Sequence, residues 1–373
     1  IYIIKNVIFL DIKRFIKRFM RKRTVKMRVT LQMVAKEAGC SNTAVSLVLN
    51  GKENTLSEET QKKIWEAAEK LHYRPNQFAS GLRSKRTRLL VLIIPDNGNN
   101  FFSDISKYVE MEARKRNYQI IYGNSFDEVE NDIRLLHTFE DYCIDGILMV
   151  RSAGAENDQA ERLKKEIEKI GVPIVLLDRP LAGAELPVFM TDNRVGGEKA
   201  TEWLIENGHR KIGCYTGQSD NYSVQQRLEG YKNGLKKAGI AYQGELVYED
   251  SYKGLRAEEA LEHFLNQGAT GIFAQSDRMA YGLYQAAQKR GLRIPEDISV
   301  VGFDNLEYDE YISPKLCSIR QSTEKISSDA VNFLVEEIEK DAAENRENNF
   351  QYYAPELIKR MSVKNINAAG GKE

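Results

Sequence analysis

The chain has 373 residues, of which 42% are hydrophobic and 29% charged, as in soluble globular proteins. No apolar run reaches the ~20 residues that cross a bilayer, so the sequence excludes a membrane-spanning class. The net charge is zero, but residues 1–88 carry 20 Lys and Arg against 7 Asp and Glu, whereas residues 89–373 carry 34 against 47. A basic amino-terminal segment followed by an acidic remainder predicts that the amino-terminal segment binds a polyanion.

The first 26 residues show a basic amphipathic pattern. Its apolar side chains recur at helical spacing at Ile12, Phe15, Ile16, Phe19 and Met20. Such a helix can lie on a membrane surface. Because the chain begins with Ile and Met27 stands just before the first organised segment, we expect residues 1–26 to be an upstream-translated or disordered extension.

Residues 27–73 are predicted to form three short helices. Thr30, Ser41 and Ser57 are suitable N-caps, and Gly39 and Gly51 are suitable ends for the first two helices. The apolar positions have helical spacing: Leu31, Val34, Ala35, Ala38, Val45, Val48, Leu49, Ile64, Ala67, Ala68 and Leu71. Isolated helices this short are unstable in water, so we expect packing around one core to hold them.

The first two helices and the turn at Gly39 have the spacing of a helix-turn-helix motif, whose second helix enters the major groove of DNA. Asn42 and Thr43 would face base edges, because Asn can bond adenine through two hydrogen bonds. The alternative is that these are cap and solvent residues of a small helical bundle. The predicted DNA contacts are Thr30, Ser41, Asn42, Thr43, Ser46, Asn50, Tyr73, Asn76 and Leu82.

Residues 74–88 are predicted to be a hinge helix and linker. Gly81 weakens the helix by about 1 kcal/mol relative to Ala, so it needs a partner. Leu82 stands before a run of basic residues and suits a wedge into the minor groove, with the cations neutralising phosphates. The alternative is a flexible linker between domains.

From Leu89 the sequence alternates between apolar strand-like runs and helical segments. One set of runs is LLVLIIPD, YQIIYGN, DGILMV and PIVLLD, and a second is KIGCYTG, ELVYED, TGIFAQSD and ISVVGFD. Two sets predict two doubly wound α/β lobes with a ligand cleft between them. We expect residues 89–190 plus 320–350 in the first lobe, 191–319 plus 351–363 in the second, and a disordered tail at 364–373.

Polar residues at the predicted strand ends, such as Asp178 and Asp304, suit the hydroxyl groups of a sugar. Phe101 and Phe102 can stack on a sugar face or a base ring, and we expect one in the cleft and the other in the core. Arg227 provides a planar fork for hydroxyls or a carboxylate, or belongs to a structural ion pair. Strand-end Asp residues also cap helices, and this alternative applies to Asp96 and Asp277.

Five segments occur in this order along the chain: VTLQMVAKEAGCSNTAVSLVLNG, SEETQKKIWEAAEKLHYRPNQFASGLRS, LIIPDNGNNFFSDI, VVGFDN and SIRQS. Together they resemble the lactose-repressor (LacI-type) family of bacterial transcription regulators over about residues 28–363. The resemblance implies a homodimer on a pseudo-palindromic operator, paired hinge helices in the minor groove with Leu82 as the intercalating residue, and a periplasmic-binding-protein-like core. Many members have an arginine where this chain has Leu47, so no operator sequence is transferred. Together with the strand ends, it predicts effector contacts at Phe101, Phe102, Asp178, Asn221, Ser223, Arg227, Ser276, Asp304 and Gln321.

The predicted fold is therefore α + α/β, with a three-helix DNA-binding domain, a hinge helix and a two-lobed core. The predicted function is a DNA-binding regulator, a repressor, controlled by a sugar or sugar derivative and acting in the cytoplasm, at the nucleoid when bound. Whether the effector releases or promotes DNA binding stays open. A solute-binding receptor and a two-lobed enzyme are the alternatives, but no enzyme motif is present, and neither a metal nor another cofactor is predicted.

Overall fold

The computed structural model describes residues 29–51, 54–73, 86–154, 158–219, 221–340 and 350–367. The predicted extension at residues 1–26, Asn76 and Leu82 of the predicted hinge, and the end of the predicted tail lie outside the described residues. The chain divides into two compact units, a headpiece up to residue 85 and a core from residue 86 onward.

The described part of the headpiece contains three short helices: α1 Leu31–Ala38, α2 Asn42–Leu49 and α3 Glu58–Lys70. Each begins at its predicted cap, because the hydroxyl oxygens of Thr30, Ser41 and Ser57 accept a hydrogen bond from a backbone N–H three residues further along. Gly39 ends α1 with a φ of 65°, a left-handed conformation that costs glycine little.

The three helices share one apolar core. Val34, Val45 and Ile64, one from each helix, are fully buried in the same cluster. Because α2 has only eight residues, this packing is what holds it in helical form.

The first lobe of the core is a six-stranded parallel sheet with helices on both faces. Its strands are β1 Leu89–Ile94, β2 Gln119–Asn124, β3 Gly146–Met149, β4 Ile174–Leu177, β5 Val188–Thr191 and β11 Phe350–Tyr353, in the spatial order β11-β5-β4-β3-β1-β2. Its helices are α4 Asn100–Lys115, α5 Val129–Glu140, α6 Asp158–Lys169 and α11 Thr323–Glu339. Helices α4 and α11 pack on one face of the sheet, and α5 and α6 on the other.

The second lobe repeats this plan. Its strands are β6 Ile212–Thr216, β7 Val247–Glu249, β8 Gly271–Ala274, β9 Ser299–Asp304, β10 Cys317–Arg320 and β12 Glu356–Ile358, in the order β12-β10-β9-β8-β6-β7. The helices are α7 Asn193–Glu206, α8 Tyr222–Lys237, α9 Ala257–Asn266 and α10 Asp277–Lys289. All strand pairs are parallel except β10 with β12.

The predicted fold class is confirmed, but three lobe boundaries are wrong by one to three residues. Thr191 ends β5 and residues 351–353 belong to β11, so both lie in the first sheet, whereas Arg320 ends β10 in the second. Strand β11 is mostly exposed, so no apolar run marks it in the sequence. The predicted disordered tail also begins too early, because the backbone N–H groups of Lys364 and Ile366 donate to Ser299 Oγ and Asn207 O.

Candidate effector cleft and DNA-reading helix

Helix α2 has a polar, exposed front formed by Ser41, Asn42 and Thr43. The hydroxyl oxygen of Ser41 accepts a hydrogen bond from the N–H of Ala44 at 3.2 Å. Within the described headpiece, the side chains of Asn42 and Thr43 make no hydrogen bond, so their donors and acceptors are available to a partner. This geometry is the one a helix-turn-helix needs to read base edges.

Four other predicted DNA contacts have structural roles in the headpiece. Thr30 caps α1, and Tyr73 packs against the apolar core. The Asn50 amide donates to Ser46 O at 2.7 Å and to Ser46 Oγ at 3.3 Å, which closes the end of α2. These contacts support the structural alternative for the four residues, and their contacts with DNA stay predictions.

A cleft lies between the two lobes, at the carboxyl ends of their strands. It is lined by Asn99, Phe101, Phe102, Asp178, Arg179, Asn221, Ser223, Arg227, Tyr252, Ser276, Arg278 and Asp304. The structure thus brings together eight of the nine predicted effector residues. The ninth, Gln321, donates a hydrogen bond to Asp304 Oδ1 at 2.7 Å.

Asp178 is positioned by the end of β4, directly before Arg179. Its backbone is in the left-handed region, with a φ of 61°, and its N–H donates to Phe189 O in β5. Its Oδ2 lies 3.7 Å from Arg179 Nε, whereas its Oδ1 is buried without a partner. Burial raises the pKa of this carboxyl, opposed by the charges of neighbouring arginines, so a ligand that donates a hydrogen bond would stabilise it.

Arg227, on α8, is largely engaged within the protein. Its Nε donates to Asn193 Oδ1 at 2.8 Å, and its Nη1 donates to Gln275 O at 2.5 Å. Its guanidinium lies 3.6 Å above the ring of Phe303, and its Nη2 lies 3.9 Å from Asp304 Oδ1. Both interpretations of Arg227 therefore apply, since it lines the cleft and also holds three elements together.

Asp304 ends β9 with a positive φ of 119°. Burial raises the pKa of its carboxyl, and the nearby charge of Arg227 and the hydrogen bond from Gln321 oppose that rise. The Oε1 of Gln321 is buried without a partner, as is the Oγ of Ser223. The cleft therefore contains buried polar atoms whose hydrogen bonds are not made inside the protein, which is unusual without a ligand or water to complete them.

The prediction for the two aromatic residues is wrong. Phe101 and Phe102 both line the cleft and both belong to the first-lobe core, with only 7% and 4% of their surface exposed. Their ring centroids are 5.3 Å apart, so they pack as a pair. Both fit because they are the second and third residues of α4, in its first turn, where the helix meets the sheet edge.

The helix-capping alternative for Asp96 and Asp277 is wrong, because Asn99 caps α4 and Ser276 caps α10. Asn221 caps α8 through Ser223 N, and Ser276 caps α10 through Met279 N. Asp96 accepts a hydrogen bond from Gly98 N within its own turn, at 2.9 Å. Asp277 is buried, and its oxygens accept from Ser318 Oγ at 2.6 Å and Leu306 N at 2.9 Å. Asn221 and Ser276 therefore combine capping with a place in the cleft.

Sequence reasoning missed four lining residues: Asn99, Arg179, Tyr252 and Arg278. Arg179 and Arg278 stand one and two residues after predicted contacts, so extending each strand end would have found them. Tyr252 follows the short strand β7, and no sequence signal relates it to the cleft.

The paired glycines at 196 and 197, a weak phosphate-loop signal in the sequence, have a packing role. A Cβ at Gly197 would lie 2.2 Å from Arg227 O. On the facing helix, a Cβ at Gly230 would lie 2.0 Å from Arg194 O. Helices α7 and α8 thus approach so closely that only glycine fits at these positions.

Among the described residues, no cluster of His, Cys, Asp and Glu has the arrangement of a metal site. No helix in the described ranges is long and apolar enough to cross a bilayer.

Two family models match the chain. The model for bacterial regulatory proteins of the lacI family matches residues 30–76, and the model for a periplasmic binding protein-like domain matches residues 201–363. The chain is also 33% identical over 341 residues to the HTH-type transcriptional repressor PurR of Vibrio vulnificus, covering 91% of this chain and 99% of that protein. The chain belongs to the lacI family of bacterial regulatory proteins.

Solved structures of this family have the same fold. A complex of the transcriptional regulator CelR with cellobiose is 28% identical, with a TM-score of 0.66 over 90% of this chain and 100% of the other. A LacI family transcriptional regulator from Enterococcus faecium with bound ribose is 27% identical, with a TM-score of 0.66 over 74% of this chain and 99% of the other.

As a member of the lacI family, the chain is a DNA-binding transcriptional repressor with a domain for a small-molecule effector, and it is not an enzyme. Repressors of this family bind operator DNA as dimers and act in the cytoplasm. Family membership decides against the two alternative classes, a transport receptor and a metabolic enzyme.

Proposed function

We propose that the effector of this lacI-family repressor is a sugar or a sugar derivative bound in the cleft between the lobes. The observation that carries the proposal is the set of buried polar atoms without partners in the cleft lining and beside it, namely Asp178 Oδ1 and Ser223 Oγ in the lining and Gln321 Oε1 next to Asp304. Two of them are acceptors and the third is a hydroxyl, which suits a ligand rich in groups that both donate and accept. Phe101 and Phe102 would supply an apolar surface for the face of the ring.

Two solved relatives support the chemical class. CelR is in complex with cellobiose, and the Enterococcus faecium regulator has bound ribose. A nucleobase is the competing ligand, because the same pair of phenylalanine rings offers a stacking surface to a base. The polar atoms favour the sugar, since a base presents fewer hydrogen-bonding groups per ring than a sugar does.

Replacing Ser223 by Ala tests the cleft without disturbing the fold. Because the Oγ of Ser223 has no partner in the protein, Ser223→Ala should leave the melting temperature almost unchanged. Losing one hydrogen bond to the effector should weaken its binding about tenfold, equivalent to about 1.4 kcal/mol. Isothermal titration calorimetry of the full chain with cellobiose, ribose, galactose and hypoxanthine would identify the ligand class and then measure this loss.

Ser328→Ala is a suitable control, because Ser328 lies on α11, outside the cleft lining, and its Oγ bonds Lys325 O. Binding of hypoxanthine with no binding of any sugar would contradict the proposal. An unchanged titration of the bound sugar in Ser223→Ala would remove Ser223 from the site.

We also propose the mode of DNA binding. Two copies of α2 would enter successive major grooves of a pseudo-palindromic operator, with Asn42 and Thr43 reading bases. The hinge and its Leu82 would enter the minor groove between them. Bound in this way, the repressor would be found on the nucleoid.

A further inference from the structure

Three arginines line the cleft, and two of them are engaged by the protein. Arg227 bonds Asn193 and Gln275. The Nη1 of Arg179 donates to Asp127 Oδ1 at 2.8 Å and to Arg151 O at 3.0 Å. Arg278 differs from both, because its guanidinium makes no hydrogen bond or ion pair with any described residue, although it is only partly exposed.

The acidic residue next to Arg278 does not neutralise it. Asp277 points into the second lobe, where Ser318 Oγ and Leu306 N donate hydrogen bonds to its carboxyl oxygens. The positive charge of Arg278 therefore stays directed at the cleft it lines. At the same position the amino-terminal end of α10 begins with the cap Ser276, and helix dipoles favour an anion at this end.

The charge of the cleft is opposite to that of the core around it. Its lining holds three arginines and two aspartates, a formal net charge of 3 − 2 = +1. Burial raises the pKa of both Asp178 and Asp304, because their charged forms are poorly solvated there. Residues 89–373 as a whole carry 34 basic against 47 acidic side chains, so the cationic cleft is a local feature.

We propose that the effector carries an anionic group, a carboxylate or a phosphate, that binds Arg278. This inference rests on the proposed function, because it makes the sugar an acidic sugar or a sugar phosphate. The polar groups of the sugar ring would form hydrogen bonds with Asp178 Oδ1 and Ser223 Oγ, which have no partner in the protein. The anionic substituent of the ring would extend toward the start of α10. Hydrogen bonds to a charged group are about twice as strong as neutral ones, so Arg278 would select the acidic form of a sugar over its neutral counterpart.

The test compares matched pairs of ligands on the full chain by isothermal titration calorimetry. The pairs are galactose with galacturonate, which differ by a carboxylate, and glucose with glucose 6-phosphate, which differ by a phosphate. At least one acidic member should bind about tenfold or more tightly than its neutral partner. Which pair shows the preference distinguishes a carboxylate from a phosphate.

Substitutions then assign the preference to one side chain. Arg278→Gln should abolish the preference for the acidic sugar without changing the melting temperature, and Arg278→Lys should keep part of the preference. Arg290→Gln is the matched control on the same stretch of chain, because Arg290 pairs with Glu262 at the far end of α10 and lies outside the cleft lining. This variant should retain the full preference.

Equal or weaker binding of both acidic members, or a preference that survives in Arg278→Gln, would overturn the inference. Binding of neutral sugars alone would also overturn the inference of an anionic group, but it would agree with the proposal of a sugar effector. Binding of hypoxanthine and of no sugar would contradict both proposals.

Discussion

At the scale of single residues, the side chains of the cleft divide into two groups by the state of their hydrogen bonds. The guanidinium of Arg227 already donates hydrogen bonds to Asn193 Oδ1 and Gln275 O. Replacing Arg227 by Ala would therefore leave these two acceptors without their donor and would also remove a group that can bind the ligand. Loss of effector response in such a variant would combine instability with weaker binding. The side chains of Ser223 and Arg278 make no hydrogen bond inside the described part of the chain, and their substitutions therefore report on the ligand alone.

The same distinction identifies the informative residue in the headpiece. Asn42→Ala should leave the headpiece folded, because the side chain is exposed and makes no hydrogen bond there. It should reduce the discrimination between operator and single-base variants by about 1–3 kcal/mol at the base it contacts. Fluorescence anisotropy with labelled duplexes measures this difference.

Glu69→Gln, an exposed position on α3, is the control for Asn42→Ala. It should retain the base preference of the parent. The base-reading role of Asn42 is wrong if Asn42→Ala shows the same preference at every operator position.

At the scale of elements, the close contact of α7 with α8 places Asn193 beside Arg227 and so fixes the position of Arg227 in the cleft. The contact depends on glycines, because a Cβ at Gly230 would lie 2.0 Å from Arg194 O and 2.7 Å from Glu198 N. The backbone of α7 cannot move aside without carrying Asn193 with it. Stability and the geometry of the cleft are therefore coupled through this pair of helices.

Gly230→Ala should lower the free energy of unfolding by about 1–3 kcal/mol through overpacking and weaken effector binding as well. Gly244→Ala is the control, since nothing lies within 4 Å of a Cβ at that position. Thermal unfolding followed by circular dichroism measures both variants. Equal melting temperatures for the two would mean that the helices separate easily, contrary to this account.

Much of this element structure was predictable because its signals are local. The caps Thr30, Ser41 and Ser57 and eight apolar strand runs lie where their residue types predict them. Strands β5, β10, β11 and β12 were missed because each has only three or four residues, too few for a distinct apolar run, so pairing with a neighbouring strand decides them. That the charge of Arg278 is unpaired was not predictable either, because only the folded core shows what surrounds it.

At the scale of the whole molecule, regulation requires that the effector bind two conformations of the repressor unequally. The sign of that difference decides whether the sugar releases the operator or promotes binding to it. Binding to the operator should weaken steeply as salt rises, because the basic headpiece releases counterions from the phosphates. The affinity for the operator and its response to the effector are thus linked properties of one chain.

The most direct test is a gel-shift titration of the purified full chain with fragments of its own genome and with random duplex, each with and without the bound sugar. Our account predicts that one set of fragments binds at least about a thousandfold more tightly than random duplex and that the sugar changes this ratio. Equal binding to all duplexes, unaltered by any sugar, would contradict it.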